Sequence, residues 1–139
     1  MREILFRGKT YDEDWVHGYY VRLYNERGNE ANRIYLGYSE MDCGDFYPDY
    51  FEIVPETVGQ YTGLTDKNGT KIFEGDIVKA KLGGGAYKGF EWPCADVQYQ
   101  KASFGININK DFTPLSSFAP TVEFEVIGNI HDVAERLEV

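Results

Sequence analysis

The chain is poor in the residues that do chemistry. Two histidines and two cysteines stand among 139 residues. The cysteines, Cys43 and Cys94, form no CxxC and no Cys/His spacing, which argues against structural zinc. They read as free thiols in a reducing compartment, with a disulfide between two loops as the alternative. Cationic residues are also scarce: 14 Lys and Arg face 23 Asp and Glu, for a formal net charge of -9. With no Lys/Arg run, that balance disfavours general binding to a nucleic-acid backbone. No apolar run approaches the ~20 residues that span a bilayer, and the opening "MREILFRGK" lacks the apolar core of a secretory signal. The expectation is a soluble, cytoplasmic protein with no membrane partner and no cofactor.

What is present is aromatic: 16% of residues, with eleven Tyr and nine Phe. Large rings suit the half-buried faces of strands. The length fits one domain, 1–139, with lobes expected at 1–55 and 56–139. Runs such as "WVHGYYVRLY", "RIYLGY" and "DIVKAKL" alternate with Gly/Asn/Asp clusters, as hairpins do. "YFEIVP" reads as a strand ended by Pro55. "VEFEVIGNI" sets Val122, Phe124 and Val126 against Glu123 and Glu125, one face dry and one wet. "HDVAERLEV" is the helical candidate, with Val133 and Leu137 four apart. About nine short strands and a terminal helical turn make a mainly β fold, a small barrel or a sandwich.

The segment "ETVGQYTGLTDKNGTKIFEGDIVKA" packs turn signals densely. Asn68-Gly69 is a strong hairpin dipeptide, for which a type I′ turn is expected. Gly75 fits a second tight turn, and Gly59 and Gly63 are assigned similar backbone roles. Asp66, Asn68 and Thr70 enter the frame of a calcium loop. The frame then fails, because Gly69 falls at the fourth place and Ile77 stands where a bidentate acid is needed. No metal site follows.

Two stretches could carry a working surface. Residues 38–56 hold acids and rings without Lys or Arg, among them Asp42, Asp45, Phe46, Tyr47, Asp49 and Tyr50. The loop "GGGAYKGFEWP" carries Tyr87, Phe90 and Trp92. Aromatic residues are enriched at binding hot spots. His17 and His131 read as strand-surface and capping residues, and Trp15 as a core lid. No GxSxG or P-loop pattern occurs, and no catalytic residue is assigned.

Three stretches, "MREILFRGK" with Trp15–Tyr19, Glu56–Val78, and "FEVIGNIHD" over Phe124–Asp132, resemble the YopX-like family of phage and prophage proteins. The resemblance implies a mainly β protein whose C-terminal half is an SH3-like small barrel. It also implies a phage or prophage source and action inside a bacterial host. It implies no activity and no catalytic residues.

The expected function is a non-enzymatic, self-associating interaction module that binds an unknown host or phage protein. The alternatives are an acidic DNA mimic built on residues 38–56, a small barrel directed at nucleic acid, and an enzyme with an unfamiliar site.

Overall fold

The computed structural model describes residues 3–40, 44 and 46–132, without the side chains of 38–40 and 46–48. The protein is mainly β, with eleven strands among the described residues. The chain divides into two compact units, Met1–Tyr61 and Thr62–Val139.

The first unit is built from β1 (Phe6–Thr10), β2 (Trp15–Tyr24), β3 (Glu30–Glu40) and most of β4 (Phe46–Thr65). β1 pairs with β2, β2 with β3, and β3 with β4 over Phe46–Glu52. β4 then changes partner and pairs with β1 through Ile53, Val54, Gly59 and Gln60. The circuit closes, and closure removes the open edges that invite strand addition. Pro55 does not end the strand as its sequence suggested. It lies where β4 bulges, with residues 55–58 standing against Gly8 alone on β1. A bulge tolerates proline because no ladder N–H is needed there. Thr57 holds the bulge: its hydroxyl accepts the Lys9 N–H at 2.8 Å and donates to the Val54 carbonyl at 2.6 Å. The unit boundary therefore falls after Tyr61 rather than at Pro55.

Ile34 and Ile53 are the fully buried anchors of this unit. Gly18 lets β2 approach β3, because a Cβ there would lie 2.3 Å from the Tyr35 carbonyl oxygen. Gly59 sits within β4, buried and opposite Arg7, so it is a strand residue and not a turn residue.

In the second unit, Thr62–Thr65 of β4 turn into β5 (Lys71–Phe73). There follow β6 (Asp76–Leu82), β7 (Ala95–Asp96), β8 (Gln98–Gln100), β9 (Ser103–Ile108), β10 (Asp111–Pro114) and β11 (Val122–Asn129). Two three-stranded sheets form, in the orders β11-β6-β7 and β10-β9-β8. Their core is Ile72, Val78, Val97, Ile106 and Leu115, with Phe104, Phe118, Phe124 and Val126 packed around it. β10 occupies a segment that reads as loop in the sequence.

The loop after Asp66 is a hairpin of a different kind from the one its Asn-Gly suggests. The Asp66 N–H donates to the Thr70 carbonyl at 2.8 Å, and the Gly69 N–H donates to the Asp66 carbonyl at 3.0 Å. Only Gly69 takes a positive φ, of 82°, and Asn68 does not. A type I′ turn needs two such residues, so this is a three-residue loop closed by a left-handed glycine. The Asp66 carboxylate dictates the choice by accepting the N–H groups of Asn68 and Thr70, each at 2.9 Å.

At the end of β11, Asn129 caps the start of a helical turn that begins at Ile130. Its side-chain oxygen accepts the N–H groups of His131 and Asp132, each at 3.0 Å, as an N-cap does. The rest of the helical candidate, with Val133 and Leu137, lies outside the described residues.

Candidate functional site

The two aspartates of the glycine-dense segment are committed to the backbone. Asp66 is buried and binds three amides, those of Asn68 and Thr70 and that of Val126 on β11 at 3.0 Å. Burial pushes its carboxyl up, but the amides of Val126, Thr70 and Asn68 outweigh it and hold the group below its ordinary value. Asp76, only 2% exposed, accepts the Phe73 N–H at 2.8 Å. Gly75 takes a φ of 91° in the turn between them and exchanges bonds with Val97 and Ile130. Gly63 is also left-handed, with a φ of 88°. Acids fixed this way stabilise the fold.

Charges of opposite sign face each other across β6 and β11. Lys79 and Lys81 on β6 stand opposite Glu125 and Glu123 on β11. Lys67 pairs with Glu125 at 3.4 Å and Lys79 with Glu91 at 3.1 Å. The hydrogen bond and charge of Glu91 raise the Lys79 pKa. Among the described residues, no three His, Cys, Asp or Glu side chains converge as metal ligands would. His17 and His131 belong to different units. Cys94 is exposed and free, and Cys43 lies outside the described residues. No helix among the described residues is long and apolar enough to cross a membrane.

The sequence-predicted surface separates between the units. Asp42 and Asp45, and the side chains of Phe46 and Tyr47, lie outside the described residues. Asp49 and Tyr50 are on β4 of the first unit, opposite Gly37 and Tyr35. Tyr19, Tyr35 and Tyr50 are register partners across β2, β3 and β4. Arg33 lies 4.3 Å from the Tyr50 ring centre and pairs with Glu52 at 2.8 Å. A shallow hollow of about 430 Å³ lies beside this row, at Tyr19, Val21, Tyr35 and Gly37.

Tyr87, Phe90 and Trp92 come together on the second unit. The loop that bears them is pinned to the end of β6: Leu82 donates to the Phe90 carbonyl and Gly89 to the Leu82 carbonyl, each at 2.8 Å. Trp92 donates its backbone N–H to Ala80 at 3.0 Å. Residues 90–92 thus return alongside β6, and their rings are set by backbone. The rings form an edge-to-face chain. Phe90 meets Trp92 at 5.0 Å, Trp92 meets Phe118 at 5.6 Å, and Phe118 meets Phe124 at 5.2 Å. Such contacts add about 0.5–1.5 kcal/mol each beyond area burial. The chain runs from an exposed ring into the core. An apolar groove of about 510 Å³ opens beside it, lined by Leu82, Tyr87, Phe90 and Trp92 together with Ser117, Phe118, Ala119 and Val122. Tyr87 is 79% exposed and Phe90 56%.

Sequence reasoning named the loop residues of this groove and missed Ser117, Phe118, Ala119 and Val122. The available signal was Phe118 itself, a large ring in the short Leu-Ser-Ser-Phe-Ala segment between Pro114 and Pro120.

The same fold is found in the crystal structure of protein EF1440 from Enterococcus faecalis, at 22% identity and a TM-score of 0.59, over 99% of each chain. No curated protein matches the chain. The family described as "YopX protein" matches residues 5–138, nearly the whole length, and the chain belongs to that family.

Proposed function

We propose that this protein is a non-enzymatic interaction module whose working surface is the aromatic groove of the second unit. One observation carries the reading: exposed Phe90 and half-buried Trp92 are braced ring by ring onto the core beside an open apolar groove. Rigid rings held in contact with solvent lose little entropy when a partner covers them, which is the profile of a binding hot spot. The engagement of Asp66 and Asp76 by backbone amides supports the non-enzymatic part.

The setting we infer, a phage or prophage protein in the cytoplasm of a bacterial host, draws on the family resemblance. So does an SH3-like arrangement of the second unit, in which a groove beside a long loop is a docking place by analogy of fold. Self-association is the other component of the proposal. The first unit closes its own edges, so strand addition there does not support it. The exposed Tyr19 and Tyr50 of that unit are what favours it.

A photo-crosslinking residue at Tyr87, with one at exposed Tyr99 as control, tests the groove in the host. The expected result is an adduct from position 87 that disappears with Trp92→Ala. Equal labelling from both positions removes the reading. Light scattering tests self-association, and a strictly monomeric species at high concentration removes that component.

A further inference from the structure

The sequence holds one Asn-Gly dipeptide, Asn68-Gly69, and it lies at the exposed tip of the hairpin between β4 and β5. Asn-Gly is prone to spontaneous deamidation, because glycine has no side chain to hinder the approach. The glycine nitrogen attacks the side-chain carbonyl carbon of the asparagine. A C–N bond forms, and the side-chain amide leaves as ammonia. Water then opens the cyclic imide at either of its carbonyls. One opening gives aspartate. The other gives isoaspartate, in which the main chain runs through Cβ and is longer by that atom. Water is the only co-reactant.

The fold controls the first step. The attacking nitrogen must lose its proton and turn toward the Asn68 side chain. Here three successive N–H groups converge on Asp66: those of Asn68 and Thr70 donate to its carboxylate at 2.9 Å each, and that of Gly69 donates to its carbonyl at 3.0 Å. The peptide units on both sides of the reacting bond are therefore fixed, and the nucleophile is engaged. The electrophile is not. Among the described residues, the Asn68 side chain has no hydrogen-bond partner, and Asn68 is exposed.

The hold on the backbone extends to β11. The second Asp66 carboxylate oxygen accepts the Val126 N–H at 3.0 Å, and the Lys67 N–H donates to the Phe124 carbonyl at 2.9 Å. Exposed hairpin tips open locally at lower cost than the whole fold. Each opening releases the Gly69 N–H. Isoaspartate formed at that moment adds a main-chain atom and a carboxylate beside Asp66, so the short loop no longer brings its N–H groups together. β11 lies at the edge of its sheet, and a hairpin that fails to return leaves the Phe124 carbonyl and the Val126 N–H bare.

We propose that Asn68-Gly69 is a site of spontaneous isoaspartate formation gated by Asp66: inert while the hairpin is fastened to β11, modified when it opens, and unable to refasten afterwards.

The test follows conversion at residue 68 of the full chain at neutral pH, folded and in urea. Peptide mass spectrometry measures it, and labelling by an isoaspartate methyltransferase separates the two products. Amide exchange is recorded on the folded sample. Folded wild type should convert at least about tenfold more slowly than the unfolded chain, at a rate that follows exchange of the Gly69 and Val126 amides. Folded Asp66→Ala should convert about tenfold faster than wild type or more. Purified isoaspartyl protein should have lost protection at Val126. Freshly prepared Asn68→Asp adds the charge without the extra atom and should keep it. Equal rates in the folded and unfolded chains, an Asp66→Ala rate equal to that of wild type, or an isoaspartyl protein still protected at Val126 would overturn the proposal. If Asp66→Ala does not fold, the wild-type data decide: conversion that follows the amides of β9 instead means that whole-fold unfolding sets the rate, and Asp66 is not the gate.

Discussion

Asp66 and Val126 lie 60 positions apart and are joined by one hydrogen bond, from the Val126 N–H to the Asp66 carboxylate at 3.0 Å. The neighbouring Lys67 N–H donates to the Phe124 carbonyl at 2.9 Å. Together they clip the hairpin loop onto β11 and connect two of the sequence stretches that carry the family resemblance. Replacing Asp66 by Asn keeps one oxygen for Asn68 and Thr70, but turns an N–H₂ toward the Val126 N–H. Two donors then face each other in a buried place. Loss of a charge-assisted bond and an unsatisfied amide should together cost about 2–3 kcal/mol. Urea unfolding followed through Trp92 measures it, and a loss below about 0.5 kcal/mol would remove Asp66 from this role.

The same carboxylate makes stability depend on acid. Its folded pKa lies below the ordinary 3.8, so the ionised form is favoured by folding. This contribution is fully present above about 3.8, the unfolded value, and is lost as pH falls through the lower folded one. Wild-type protein should therefore lose stability below about pH 4 more steeply than Asp66→Asn, which has no carboxyl to protonate there. Parallel urea midpoints for the two proteins between neutral and strongly acid pH would show that the dependence comes from other groups.

Two glycines should differ sharply on substitution by alanine. At Gly69 an added Cβ meets nothing within 4 Å, and the cost is the positive φ alone, about 1 kcal/mol. At Gly18 the added Cβ would lie 2.3 Å from the Tyr35 carbonyl oxygen, which is backbone and does not yield cheaply. Gly18→Ala should lose about 3 kcal/mol or more, by separating β2 from β3. Melting curves for the two variants decide this, and equal losses would contradict the close approach.

The second unit makes two-residue hairpin turns where no glycine marks them. Gln100 pairs with Ser103 across Lys101 and Ala102, and Ile108 pairs with Asp111 across Asn109 and Lys110. All four central residues have positive φ. Ala102→Gly and Lys110→Gly should each stabilise the protein by about 0.5–1 kcal/mol, because glycine relieves the left-handed cost at some expense in unfolded entropy. Chemical denaturation of each variant checks the sign, and destabilisation would refute it.

These turns also show why parts of the fold were hard to read. The strand runs Trp15–Tyr24 and Asp76–Leu82, and the 33–38 portion of β3, were legible because period-two patterning reports burial directly, whereas residues 30–32 read as loop. β10 was not, because its turn lacks glycine and its strand ends in proline. Asn68-Gly69 was recognised as a hairpin but mistaken in type, since the deciding group is the buried carboxylate of Asp66 and its third partner is 60 residues away. Pro55 looked like an end because a bulge depends on what the neighbouring strand omits. The groove was half legible for the same reason: Tyr87, Phe90 and Trp92 are close in sequence, while Phe118 reaches them only through the fold.

Phe118 is the middle of the ring chain, 5.6 Å from Trp92 and 5.2 Å from Phe124. Phe118→Ala removes both edge contacts and part of a wall of the core, at a cost of about 3 kcal/mol. Its second effect concerns the groove. Without Phe118, Trp92 keeps its backbone bond to Ala80 but loses the side-chain brace that connects it to the core. Trp92 should then gain rotamer freedom, seen as a fall in its fluorescence anisotropy in a Trp15→Phe background, while the backbone amide of residue 92 stays protected from exchange. Loss of that protection as well would mean that the loop is held by ring packing and that the hydrogen bonds to β6 are secondary. A Trp92 ring that stays fixed in the variant would remove Phe118 as its support, and with it the basis for a rigid aromatic wall.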